Sequence, residues 1–91
     1  MKILEYHRGD HMITTDASKI DCESIHWFLT QYSYWAQHRP LEVVRRSMEN
    51  SFNFGIFHHD TLVGYARVVT DATTFAWLCD VVIVPEQRGN G

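Results

Sequence analysis

The sequence predicts an α+β fold in the order β-α-α-β-β-β, with two helices packed on an antiparallel meander. Three observations carry this. Apolar residues recur at helical spacing in two segments of the front half. The spacing changes to alternation at Phe52. Short turns then join the last three alternating or apolar segments.

Met12 to Thr15 is a short β-prone stretch, followed by the breaker-like Asp16-Ala17-Ser18. Ser18 or Asp21 has the side chain to cap a helix. Ile25, Phe28, Leu29 and Tyr32 fall at i, i+3, i+4 and i+7, one buried helix face. A first helix is therefore expected over about Lys19–Gln31. Ser33 to Arg39 breaks the period and reads as a loop. Pro40 suits the first turn of a second helix, where its missing N–H would be unpaired anyway. Leu41, Val44 and Met48 form that helix's stripe, with Glu42, Arg45, Arg46 and Glu49 mostly facing water, and it should end near Asn50.

Phe52, Phe54 and Ile56 alternate with Asn53 and Gly55, the period of a strand. His59-Asp60 makes a tight turn, since Asp tolerates the left-handed region. Leu62 to Val69 is the next strand and Asp71-Ala72-Thr73 the next turn. Phe75 to Val84 is almost wholly apolar, as expected of a strand covered on both faces.

With 91 residues the chain holds one domain at most. Its 45% apolar and 13% aromatic content implies a packed core and argues against disorder. The net charge of −3, with basic residues scattered apart from Arg45-Arg46, disfavours a nucleic-acid binder. The longest apolar run, Val81-Val82-Ile83-Val84, is far short of a membrane span, and the charged start lacks a signal peptide's apolar core. Cys22 and Cys79 form no CxxC pair and read as buried thiols. All of this fits the cytoplasm.

The chemistry is concentrated at the end of the apolar strand, which runs into Val84-Pro85-Glu86-Gln87-Arg88-Gly89-Asn90-Gly91. Glycines let a backbone approach an anion closely, and N–H groups opening a following helix point at it. Gly89-Asn90-Gly91 taken alone is equally a bland loop. The whole string, strand then Val-Pro-Glu then Arg-Gly-x-Gly, resembles the acetyl-CoA motif of the GNAT superfamily, Arg/Gln-x-x-Gly-x-Gly/Ala. Arg88 and Gly91 match its first and fourth places. The order of elements upstream agrees, including a strand reading Leu-Val-Gly-Tyr-Ala-Arg-Val-Val.

The resemblance implies a GNAT-like (acyl-CoA N-acyltransferase) fold, incomplete here, with residues 1–91 as the front part of a single domain. It implies roughly 50 further residues in a complete domain. These would include the helix facing the pyrophosphate and the partner of the splayed strand Thr74–Val84. It implies an N-acetyltransferase, with acetyl-CoA as co-substrate and a small-molecule or peptide amine as acceptor. The pantetheine arm would bond the backbone of Val81, Val82 and Ile83, and the pyrophosphate the amides of Arg88, Gly89, Asn90 and Gly91. The helix–helix loop of this family borders the acceptor, which makes Tyr34 and Trp35 candidate acceptor contacts. Two aromatics plugging the helix–sheet junction is the other reading.

No catalytic base transfers by resemblance. Asp80 is the only carboxylate inside the apolar run. It is either a proton acceptor with a raised pKa or a carboxylate at a strand irregularity, paired with backbone amides or an Arg such as Arg67. Arg67 itself reads as lying on the solvated sheet face. His38 would relay a proton through water or simply be a solvated loop histidine. His7, His11 and His58-His59-Asp60 have ligand chemistry, but not the spacing of a recognised closed site. Residues 58 and 59 would also point to opposite faces of a strand. No metal is expected. Ending at Gly91 would leave Phe75–Val84 as a bare edge, a template for a homodimer or larger assembly. The alternative function is accordingly a shortened, non-catalytic module that dimerises or binds CoA or a partner.

Overall fold

The β-prone stretch at Met12–Thr15 marks the second strand of a hairpin whose first strand no pattern in the sequence announced. In the computed structural model, which describes residues 3–33 and 35–87, strand β1 (Glu5–Arg8) turns through Gly9-Asp10 into β2 (His11–Thr14). Every residue of β1 is exposed, so it never shows the apolar alternation by which strands are read. Its turn rests on Gly9 at φ 59°, a conformation that costs glycine nothing.

Helix α1 (Cys22–Tyr32) begins where Asp21 accepts from the backbone N–H groups of Glu23 and Ser24. Of the two candidate caps, Asp21 is the one used. Ser18 instead donates to Asp16 in the preceding turn, so the helix starts three residues later than expected. Ile25, Phe28 and Leu29 are buried, and Tyr32 packs against them. Helix α2 (Leu41–Glu49) has Pro40 as its extended N-cap, not inside its first turn, and buries Val44. Each large apolar side chain taken out of water contributes about 1.5–3 kcal/mol. These few residues therefore hold both helices to the sheet.

Strands β3 (Phe52–His58), β4 (Thr61–Thr70) and β5 (Ala76–Ile83) complete an antiparallel sheet of order β1-β2-β3-β4-β5. The expected meander is present, extended by the extra hairpin strand. A row across the sheet, Thr14–Gly55–Tyr65–Val82, is buried on the face that carries the helices. The neighbouring row, Ile13–Ile56–Gly64–Ile83, belongs to the opposite face. Strand β5 was expected to be covered on both faces. Among the described residues it is an edge strand, with Trp77, Leu78 and Val81 exposed and only Asp80 and Val82 buried. A 3₁₀ turn, Pro85–Gln87, follows it.

Candidate active site

The register between β4 and β5 slips between Ala66 and Val68. Ala66 faces Val81 and Val68 faces Leu78, so Arg67 alone stands opposite both Cys79 and Asp80. This is a β-bulge, which re-aims side chains and bends the strand that carries it. Asp80, 5% exposed, shares the helix side of the sheet with Val82, two residues on. A carboxylate so buried needs partners, and among the described residues it has three. Arg39 Nη1 and Arg67 Nε both donate to Oδ2 at 2.9 Å, and Trp35 Nε1 donates to Oδ1 at 3.0 Å.

Burial is the largest influence on this carboxyl and pushes its pKa up. The hydrogen bonds from Arg39, Arg67 and Trp35 together outweigh it, leaving the pKa below the ordinary value. Asp80 is thus ionised at neutral pH and a weaker base than an ordinary carboxylate.

Each partner is itself held. Arg67 Nη1 donates to Ser51 Oγ at 3.0 Å, and that hydroxyl donates to the carbonyl of Ser47 in α2 at 2.6 Å. The carbonyl of Arg39 is bonded to the imidazole of His26 in α1 at 2.9 Å. Behind them Tyr65, 1% exposed, donates its hydroxyl to Asn53 Oδ1 at 2.5 Å, while Asn53 Nδ2 donates to the carbonyls of Met48 and Ser51. Burial raises the Tyr65 phenol well above its ordinary value, so it stays protonated. The loop between the helices, the end of α2 and the bulged strand are therefore joined through one carboxylate.

Trp35 is 47% exposed with its N–H on Asp80, so it is neither a buried plug nor a free loop tip. His38 is exposed. Arg67 is not on a solvated face: its side chain is 15% exposed and paired with Asp80. It lies two residues after the buried Tyr65 and on the same side of β4, opposite Asp80. Cys22 and Cys79 are half-buried free thiols, not fully buried ones. Tyr34 and Arg88 to Gly91 lie outside the described residues.

Val81, Val82 and Ile83 do share the last turn-ward stretch of β5. The Val84 N–H donates to Val63 in β4 at 2.9 Å. Alternation along the strand turns the backbone groups of Val82 the same way and those of Val81 to the outer edge. Reasoning from sequence missed Arg39, Ser51, Asn53 and Tyr65. The one available signal was Asp80 itself, because a buried charge in an apolar strand requires cationic partners from elsewhere in the chain.

The histidines also depart from expectation. His59 leaves the strand at φ 50°, which brings its ring within 4.3 Å of that of His58 instead of sending it to the opposite face.

The model of the acetyltransferase (GNAT) family matches residues 22–91. This chain belongs to the GNAT acetyltransferase family. A crystal structure of a Xanthomonas campestris pv. campestris protein, titled a putative acetyltransferase of the GNAT family, superposes with a TM-score of 0.81 and 42% identity. The match covers 89% of this chain and 57% of that one. A Gibberella zeae protein named as a putative acetyltransferase is 27% identical over 92% of this chain and 58% of its own length. An N-acetyltransferase of Gracilaria tenuistipitata named as uncharacterized, ycf52, is 32% identical over 77% of this chain and 36% of its own. The chain thus spans about a third to three-fifths of the length of these GNAT relatives. No helix among the described residues is long and apolar enough to cross a membrane.

Proposed function

We propose that this chain is the front part of an N-acetyltransferase domain that binds acetyl-CoA along β5. The observation that carries the reading is the edge strand β5, bent by the bulge at Cys79 and Asp80, leading through Pro85–Gln87 into Arg-Gly-Asn-Gly. Family membership supports it.

In this reading the outward backbone of Val81, with Val82 and Ile83 beside it, aligns the pantetheine arm. Backbone groups fixed by a sheet need no reorganisation to do so. Arg88, Gly89, Asn90 and Gly91 receive the pyrophosphate. The acceptor amine attacks the thioester carbonyl, the C–S bond breaks, and the amine's proton ends on solvent or thiolate. Asp80 does not take that proton. Its ion pairs position the loop of Tyr34 and Trp35, the acceptor side, against the cofactor strand. Half-buried free thiols fit a cytoplasmic protein.

The test uses the complete protein containing this chain: acetyl-CoA binding by calorimetry, then thiol release with a panel of amines. Saturable binding and turnover with at least one amine are expected. Absence of acetyl-CoA binding would overturn the reading.

A second reading is a non-catalytic GNAT module that self-associates. It is favoured by the exposed apolar side chains Phe75, Trp77, Leu78 and Val81 on or beside the edge strand. It expects a dimer or larger by light scattering at micromolar concentration, dissociated by Leu78→Lys. A monomer at that concentration counts against it.

A further inference from the structure

The β1–β2 and β3–β4 turns lie side by side at one end of the sheet. His11 pairs with His58 in register, and the His59 N–H donates to the Asp10 carbonyl at 3.2 Å. Three backbone positions here are left-handed: Gly9, His59 and Asp60. The outcome is a cluster that neither turn would make alone. One ligand atom from each of Asp10, His58 and His59 lies within 4.8 Å of the other two.

We propose that Asp10, His58 and His59 form a binding site for a zinc-like divalent transition-metal ion, clamping the two turns together. The geometry is close to what such an ion needs. Zinc bonds imidazole nitrogen and carboxylate oxygen at about 2.0–2.1 Å, so ligand atoms of a tetrahedral site stand about 3.3 Å apart. His59 Nε2 and Asp10 Oδ2 already stand 3.4 Å apart. The remaining closure is a side-chain adjustment at exposed or half-buried positions.

The donor set selects the metal. Two imidazoles and one carboxylate suit zinc, nickel or copper, whereas magnesium and calcium require oxygen ligands. Asp10 offsets one of the ion's two charges. Arg8, next to this turn and lining the same concavity as Asp10, His11 and His58, is the nearby cation the carboxylate must also offset. The ring of His11 stacks on that of His58, centroids 4.5 Å apart, and steadies the orientation of the ligating imidazole. Three protein ligands leave a fourth position for water. The site shares no residue with the Asp80 cluster, so it does not depend on the acetyltransferase reading.

The test is calorimetric titration of the protein, carrying no polyhistidine tag, with zinc chloride, and of cobalt chloride followed by its ligand-field absorption. One ion per chain at micromolar affinity and a four-coordinate cobalt spectrum are expected. His59→Ala and Asp10→Asn should each weaken zinc by at least about 10-fold. His7→Ala, on β1 and bonded to Glu5, and the double change Cys22→Ser with Cys79→Ser should leave it unchanged. Asp10→Asn keeps the shape of the turn, and circular dichroism without metal checks that each variant folds. Zinc binding weaker than millimolar, or binding that survives both His59→Ala and Asp10→Asn, or binding lost in the cysteine variant, overturns the proposal.

Discussion

Arg39 and Arg67, from the inter-helix loop and from β4, donate to the same oxygen of Asp80, each at 2.9 Å. Two guanidinium groups converging on one atom repel each other, and only the shared charge between them makes the arrangement stable. The strength of that arrangement therefore depends on the ionisation of a single carboxyl.

Asp80→Asn keeps the shape and removes the charge. We expect a loss of about 3 kcal/mol at neutral pH, the lower end of the cost of breaking a buried pair, because both arginines retain some water contact. The sign of its pH dependence follows from the depressed carboxyl. Its contribution is complete above the unfolded pKa of about 3.9 and is lost as pH falls through the lower folded value. Urea titrations should show wild type and variant converging below about pH 4. A gap that stays constant from neutral pH into that range would disprove the account.

Arg39→Met should separate positioning from cofactor binding. It releases the loop that carries Trp35 while leaving β5 in place. In the complete enzyme the amine KM is expected to rise about 10-fold, the equivalent of one charge-assisted hydrogen bond, with the acetyl-CoA KM unchanged. Equal rises in both would mean that the loop has no separate role.

Gly55→Ala tests the packing of the helix face. A Cβ there would lie 2.9 Å from Phe57 Cε2 and 3.0 Å from Ile20 Cγ1. Both neighbours are large, so about 1–3 kcal/mol of destabilisation is expected by thermal melting. Gly9→Ala meets nothing within 4 Å and is strained only by its φ of +59°, so its cost should be about 1 kcal/mol.

Tyr65→Phe removes a hydroxyl and leaves Asn53 Oδ1 without its donor. The expected loss is about 1–2 kcal/mol. Because Asn53 also holds the carbonyls of Met48 and Ser51, amide exchange at the end of α2 should accelerate more than exchange in β2. Uniform acceleration across the sheet would point to global destabilisation instead.

Much of the fold was legible because it is written in short-range periodicity. Ile25, Phe28 and Leu29 mark α1 with their spacing, and Phe52 to Ile56 announce the switch to strands. Strand β1 was not legible, because a fully exposed strand carries no burial pattern and is held by its backbone pairing with β2. The site was half legible. Asp80 stood out as a charge in an apolar run, whereas its partners Trp35 and Arg39 lie 45 and 41 residues away. No local spacing encodes such distances. The solvated reading of Arg67 failed because Arg67 shares the helix side with Tyr65, and which side of β4 is covered depends on how the helices and strands pack, not on the strand's own sequence.

The register slip between β4 and β5 divides β5 into two stretches of opposite parity. From Asp80 onward the even-numbered residues, Asp80 and Val82, share the helix side with Tyr65. Before it the odd-numbered Trp77 pairs with Val69 on that side, and Leu78 falls on the other with Val81. One extra residue thus works as a phase shift in the strand's reading frame. Deleting Cys79 would restore simple alternation and keep every face as it is, whereas flattening the bulge with Cys79 retained would send Leu78 under the helices' side and Trp77 away from it. A single supernumerary residue thus lets Trp77 and Asp80, three positions apart, share one side of the strand, where unbroken alternation would have set them on opposite sides.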